Sequence, residues 1–505
     1  MKKLQTLTLL LVVPFLSFAQ PGTLDNSFDA DGIGIYDLFG NSDIAWDLAV
    51  QPDGKIVFTG TTSVVNSPRL YVARINPDGS FDNSFGNAGV VVPPNVNFTE
   101  GLAMAMQPDG KIVACGVVGG TNGLDFYVVR LNADGSMDTN FGVGGELVAE
   151  LGPDSDKATD VLIQPDGQII ILGQSWNGTN YDAALIRLNP DGSLDNTFSF
   201  DGIVKLDIAG SDDPVQMALG SDGKIAAINR ASNAESVVFR LNADGTPDAT
   251  FGNNGQEAYD LVATDDWLNG IFITEDDKMV VCGISNGDVI VARINWDGSL
   301  DNTFSFDGVV QSDFGEDEGA FRVLVQPDDK ILVVGSLDDG ERKLAMFRYN
   351  NDGTLDNTFG TNGLVTTAVA GRAVGLAVAL EVDGKILVPG SAGDSQLTDA
   401  MIARYLSGIN IGIGEVDAYI GSTLVYPNPI TNNSITVEYE LKSDETVSIE
   451  LYDLAGKQIA RLQSSTKEKV GSYQKTLSLP TLSAGNYLLK LNTVKGVVSV
   501  KVAVY

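Results

Sequence analysis

Gln51-Pro52-Asp53-Gly54-Lys55-Ile56-Val57-Phe58-Thr59-Gly60, followed by Leu70-Tyr71-Val72-Ala73-Arg74-Ile75-Asn76-Pro77-Asp78-Gly79-Ser80, spells a turn, an apolar strand, a second strand ending in Arg, and a further turn. The opening turn returns as Gln107-Pro108-Asp109-Gly110 and Gln164-Pro165-Asp166-Gly167. It returns in altered form as Gly220-Ser221-Asp222-Gly223, Thr274-Glu275-Asp276-Asp277, Gln326-Pro327-Asp328-Asp329 and Glu381-Val382-Asp383-Gly384. The seven Asp residues stand 52 to 57 positions apart. A period of about 50 residues accommodates four short strands with their turns, the content of one propeller blade, and is too long for a leucine-rich or hexapeptide solenoid.

The runs after the turns, such as Lys111-Ile112-Val113-Ala114-Cys115-Gly116 and Lys330-Ile331-Leu332-Val333-Val334-Gly335, are continuously apolar. A strand with one wet face alternates, so these strands should be covered on both faces, as in stacked blades. In Asn76-Pro77-Asp78-Gly79-Ser80 and its copies, Gly supplies a positive φ and Asp holds the hairpin turn.

The strand-ending Arg recurs as Arg74, Arg130, Arg187, Arg240, Arg293, Arg348 and Arg404, with an apolar residue two positions earlier in every copy. That spacing places the guanidinium on a buried face, where it needs a partner. Eight residues downstream stands Asp82, Asp138, Asp195, Asp248, Asp301 or Asp356. The expectation is a repeated ion pair that pins one blade to the next, in preference to a ligand-binding role. Arg404 lacks its Asp because the repeat ends at Ser407, while Leu24-Asp25-Asn26-Ser27-Phe28 has the Asp motif without an Arg upstream. A closed ring accounts for both orphans and predicts Asp25 beside Arg404; an open solenoid would leave them apart.

The 505 residues carry a net charge of -34. From Thr423 onward nine basic residues face seven acidic ones, so the acidity belongs to the repeats. Such a surface argues against nucleic acid as a partner, and the repeated turn Asp residues explain it better than an electrostatic binding face. Lys2 and Lys3 precede an apolar run from Leu4 to Phe18, and Ser17-Phe18-Ala19 fits a cleavage site between Ala19 and Gln20. The run is short for a membrane anchor. Cys115 and Cys282 occupy equivalent positions of units two and five, too distant in a ring for a disulfide, and read as buried free thiols.

The Gln-Pro-Asp-Gly-Lys-Ile and Arg-Leu-Asn-Xaa-Asp-Gly-Ser-Leu-Asp-Asn-Thr-Phe-Gly patterns resemble the delta-60 repeat family of exported β-propellers over about residues 24–407, a family without a catalytic motif to transfer. After a linker at 408–422, Tyr426-Pro427-Asn428-Pro429, Leu451-Tyr452-Asp453-Leu454-Ala455-Gly456-Lys457 and Leu482-Ser483-Ala484-Gly485-Asn486-Tyr487-Leu488-Leu489-Lys490 resemble the C-terminal sorting domain of the type IX secretion system. The resemblance implies a small β-sandwich handled by that machinery and removed by a sortase-like protease; the alternative is an adhesive immunoglobulin-like domain that stays on. Alternation in Ile435-Thr436-Val437-Glu438-Tyr439 agrees with a half-exposed sheet.

The expected fold is therefore all-β: a signal peptide at 1–19, a seven-bladed propeller of four-stranded blades at 20–407, the linker, and an immunoglobulin-like sandwich at 423–505. The chain contains no His, which excludes the usual triads, and no phosphate loop or nucleophile elbow stands in it. The Asn-Xaa-Asp-Gly-Ser-Xaa-Asp pattern is similar to part of a calcium loop but lacks the first Asp and the last Glu of an EF-hand, so turn chemistry accounts for it and no cofactor is expected, with calcium as the minor alternative. Residues that break a repeat carry function more readily than those that hold it. Trp176, Tyr181 and Trp267 are accordingly the candidate ligand contacts, against the plainer role of filling gaps between blades. The expected function is that of a secreted or outer-membrane cell-surface protein without enzymatic activity that binds a glycan, polymer or protein. The alternative is a secreted hydrolase or lyase working through carboxylates.

Overall fold

The computed structural model describes residues 20–504 apart from 65–66, 95–97, 209, 232–235, 263–265, 316, 370, 395–396, 409–419, 427–433, 454–457, 481, 483–484 and 494–496. All regular elements among them are strands. Seven antiparallel units follow one another, six of four strands and a seventh whose inner strand is split in two. Blade one comprises Asp43–Val50, Ile56–Val64, Ser67–Ile75 and Val90–Val91, in that spatial order. Blades two to six repeat the arrangement up to Leu364–Thr367. Blade seven takes Arg372–Gly375, Ala379–Leu380, Ile386–Gly393 and Thr398–Tyr405 from the end of the repeat and its outer strand, Ile33–Tyr36, from the start. Ile33 pairs with Ala403 and Tyr36 with Ala400, so the ring is closed.

Continuous apolar strands form because each blade is sandwiched. Val113, Cys115 and Val128 of blade two pack with Ala158, Ile171 and Ile186 of blade three, all essentially inaccessible. Each such aliphatic side chain contributes about 1.5–3 kcal/mol of burial. The first strand of a blade packs against that of its neighbour around the axis and carries a bulge, for example between Ala45 and Asp47. The bulge drives a carbonyl toward the second strand and explains the Gly that ends the apolar runs. A Cβ on Gly60, Gly116, Gly173, Gly283, Gly335 or Gly390 would lie 1.7–2.1 Å from that oxygen. Blade four has Asn229 there, and its amide donates to Asp212 at 2.8 Å.

The tail forms two sheets, Ile420–Tyr426, Ser434–Leu441 and Gly471–Ser478 in one, and Gln458–Glu468, Glu445–Asp453, Gly485–Asn492 and Val497–Val504 in the other. Ile435, Val437, Tyr439 and Leu441 alternate into a core shared with Ile449, Leu489 and Leu491. Its first strand begins at Ile420, inside the stretch read as linker, where Ile420 pairs with Leu441 of the next strand.

Candidate functional site

Antiparallel order puts the first-to-second and third-to-fourth connections of every blade on one face of the ring, and the second-to-third hairpins and interblade connections on the other. The first face is uniform. Arg74 Nε donates to Asp82 Oδ2 at 2.8 Å, and Lys55 Nζ donates to the same oxygen at 2.9 Å. The guanidinium lies over the ring of Phe85, 4.6 Å from its centroid. All seven copies have this Arg–Phe contact, at 4.2 to 5.0 Å counting the second ring, that of Trp296, over Arg240. The ion pair itself lies within one blade, which corrects the expectation that it joins two. The link onward is the other arm of the fork: Arg293 Nη1 donates to Asn351 O at 2.7 Å and Arg404 Nη1 to Pro77 O at 2.6 Å, each in the following blade's turn. Asp25 does sit against Arg404, 2.8 Å from Nε. Burial acts to raise the carboxyls of Asp25, Asp82 and Asp301, yet hydrogen bonds from Ser or Thr and the neighbouring cations outweigh it and hold them below the ordinary range. In the Asn-Xaa-Asp-Gly-Ser turns, Asp78 Oδ1 accepts from the Ser80 amide at 3.0 Å and from its hydroxyl at 2.6 Å, so the acidity of the repeats is turn chemistry.

The second face varies from blade to blade, and the three candidate aromatics all stand toward it. Trp176 ends the second strand of blade three and pairs with Tyr181, which begins the third. Their rings meet edge to face at 5.1 Å and both are half-buried, so they brace their own hairpin. Trp267 opens the first strand of blade five and is 47% exposed, available as a flat platform. Arg230 lies over it at 5.4 Å, donates to Asn269 Oδ1 at 3.1 Å and pairs with Asp213. Trp267, Arg230, Asn269, Ile284, Asn286 and Phe321 line a cavity of about 550 Å³.

A third group escaped the sequence reading. Immediately after the inner-strand bulge stand Asp47, Asp160, Gln216 and Arg322 in blades one, three, four and six. Asp47 accepts from the Met104 amide at 2.9 Å, Asp160 from Met217 at 2.8 Å and Gln216 from Ile271 at 2.9 Å, so each satisfies an amide of the next blade. Arg322 is the cation acting on both carboxylates. Burial, with the nearby charge of Asp47, pushes Asp160 up to about 7 against the pull of Met217 and Arg322. The signal was present as a repeat position that holds a charged or amide side chain in some blades and Ala or Gly in others, but the inner strand has to be placed before that position can be found.

Both cysteines are free and buried, and burial pushes Cys282 up to about 12 and Cys115 well above its ordinary value. Neither is poised as a thiolate. Ala19, Pro427, Asn428, Pro429 and Gly456 lie outside the described residues; Gln20 is exposed, Gly485 opens a strand, and Tyr487 packs at the edge of the sandwich core.

The ring and its repeated clamp define the chain as a β-propeller protein. Residues 51–85, 107–141, 164–198, 220–251, 274–304 and 326–359 match the family described as domain of unknown function (DUF5122) beta-propeller, and 424–505 match the secretion system C-terminal sorting domain. The chain thus carries DUF5122 propeller repeats joined to a type IX sorting domain, which marks it for export to the cell surface or medium. A comparison with curated proteins gave no match. Among solved structures, a streptogramin B lyase is 15% identical with a TM-score of 0.45, over 74% of this chain and 97% of that one. The polysaccharide lyase Uly1 is 11% identical with a TM-score of 0.43, over 72% and 90%. Sqt1 from Chaetomium thermophilum is 11% identical with a TM-score of 0.38, over 81% and 96%.

Proposed function

We propose that this exported propeller is a binding protein that takes a glycan on its variable face, with Trp267 as the stacking platform. The Trp267 cavity carries the reading. An exposed indole face suits the C–H surface of a sugar ring, while Arg230 and Asn286 offer polar groups for hydroxyls around it. Arg230 is already held by Asp213 and Asn269, so the site is pre-organised. Trp176 and Tyr181 serve their hairpin, and the tail is removed by the sortase-like protease once the propeller is outside.

The second reading, a carboxylate-dependent hydrolase or lyase, has one observation in its favour: Asp160, raised to about 7 near Asp47. Against it, Asp47 and Asp160 each accept backbone amides with both oxygens. Screening the full chain on a glycan array, followed by turnover assays on the hits, separates the two. Retention of intact glycan that Trp267→Ala loses supports binding; product release that Asp160→Asn abolishes supports the enzyme.

A further inference from the structure

The rim of the Trp267 cavity carries a carboxylate that the ring does not use. Asp317 opens the first strand of blade six and is exposed. That strand is clasped to the hairpin turn Asn286-Gly287 of blade five, because the Glu318 amide donates to Gly287 O at 2.8 Å. Gly287 lines the cavity, and a Cβ on it would stand 3.3 Å from Asp317 Oδ1, which sets the carboxylate at the cavity's edge. Among the described residues no Lys or Arg pairs with Asp317: Arg342, on the same blade, is taken by Asp338, which stands opposite Asp317 in the ladder, at 3.5 Å. Of the cavity's described lining residues only Arg230 is charged, and Asp213 offsets it. The site therefore has one negative charge in excess beside an indole that is 47% exposed. This charge is no part of the repeat. The same position, three residues before the inner-strand bulge, holds Ser42, Phe98, Ser155 and Ser211 in blades one to four.

Resting on the glycan reading above, we propose that the Trp267 cavity selects glycans with free amino groups, such as glucosamine units that carry no acetyl group, and that Asp317 sets this preference. An ammonium on a sugar stacked against the indole gains twice, since the ring face attracts a cation and Asp317 supplies the counter-charge. A uronic acid or sulfated sugar meets the opposite: Asp317 repels it, and the guanidinium of Arg230 is already engaged by Asp213 and Asn269. The net charge of -34 works in the same direction at long range, drawing a cationic polymer to the ring without choosing where it binds. The choice of place falls to the indole and its neighbouring carboxylate.

The test is equilibrium binding of the full chain to a fluorescently labelled glucosamine tetramer and to its N-acetylated counterpart, below the pKa of the sugar amine. The amine form should bind about fivefold more tightly, the gain that one solvent-exposed ion pair with a cation–π contact supplies. Asp317→Asn should bring the two tetramers to equal affinity, and Trp267→Ala should lose both. Asp201→Asn, which removes the same charge from an exposed loop of the uniform face, should leave the preference intact. Equal or weaker binding of the amine form, a preference that survives Asp317→Asn, or one that Asp201→Asn removes as well would overturn the proposal while leaving the glycan reading in place, provided Trp267→Ala still loses both. If neither tetramer binds, the amine preference falls; the glycan reading falls with it only if the array finds no other glycan that needs Trp267.

Discussion

The two faces of the ring are built on opposite rules. On one, seven near-identical clamps of Arg, Asp and Phe, six of them completed by Lys and one by Gln168, join each blade to the next through the Arg fork; on the other, blades differ in aromatic and charged content, and the Trp267 cavity arises where three of them meet. Repetition therefore marks what holds the ring, and departure from it marks where a ligand fits.

The largest effect should come from the clamp at the seam. Arg404→Ala leaves Asp25 buried without its main partner and frees the N-terminal strand, so urea unfolding should show a loss of about 3–5 kcal/mol. Arg187→Ala, inside the ring, should cost less; an equal loss would mean that the seam is no weaker than any other junction. On the variable face, Trp267→Ala should weaken glycan retention by about thirtyfold, some 2 kcal/mol, with the melting temperature unchanged. Trp176→Ala should do the reverse, lowering the melting temperature and sparing retention.

The clamp and the buried inner-strand carboxylate Asp160 should also titrate in opposite directions. Asp25, Asp82 and Asp301 are held below the ordinary carboxyl range, so the stability they contribute is present above pH ~4 and is lost as pH falls through their folded values. Asp160, raised to about 7, contributes most below pH ~4 and loses that contribution as pH rises from there toward 7. Asp160→Asn should remove this second slope, gaining on the order of 1–2 kcal/mol over the parent at pH 8 relative to pH 4, as read by thermal unfolding across pH. The smallest effect concerns Phe200 and Phe306, 91% and 97% exposed with φ of 73° and 70° on the uniform face. Gly at either position should stabilise by about 0.5–1 kcal/mol without altering retention; lost binding would move the ligand to the other face.

The ring, its blade number and the meeting of Asp25 with Arg404 were legible because each rests on a motif that returns every unit. The reach of Arg Nη1 into the following turn was not, since it depends on how blades stack and not on any spacing within one. Asp47, Asp160 and Arg322 were missed because the bulge shifts the inner-strand register, and a pattern of alternation cannot show that shift.

Blade seven borrows its outer strand from the start of the chain, and Asp25 finds Arg404 379 residues later. A polypeptide made from its N-terminus thus carries an unmatched opening strand until the strand that holds Arg404 has been synthesised. Closure of the ring therefore waits on the last blade, however early the inner blades are made.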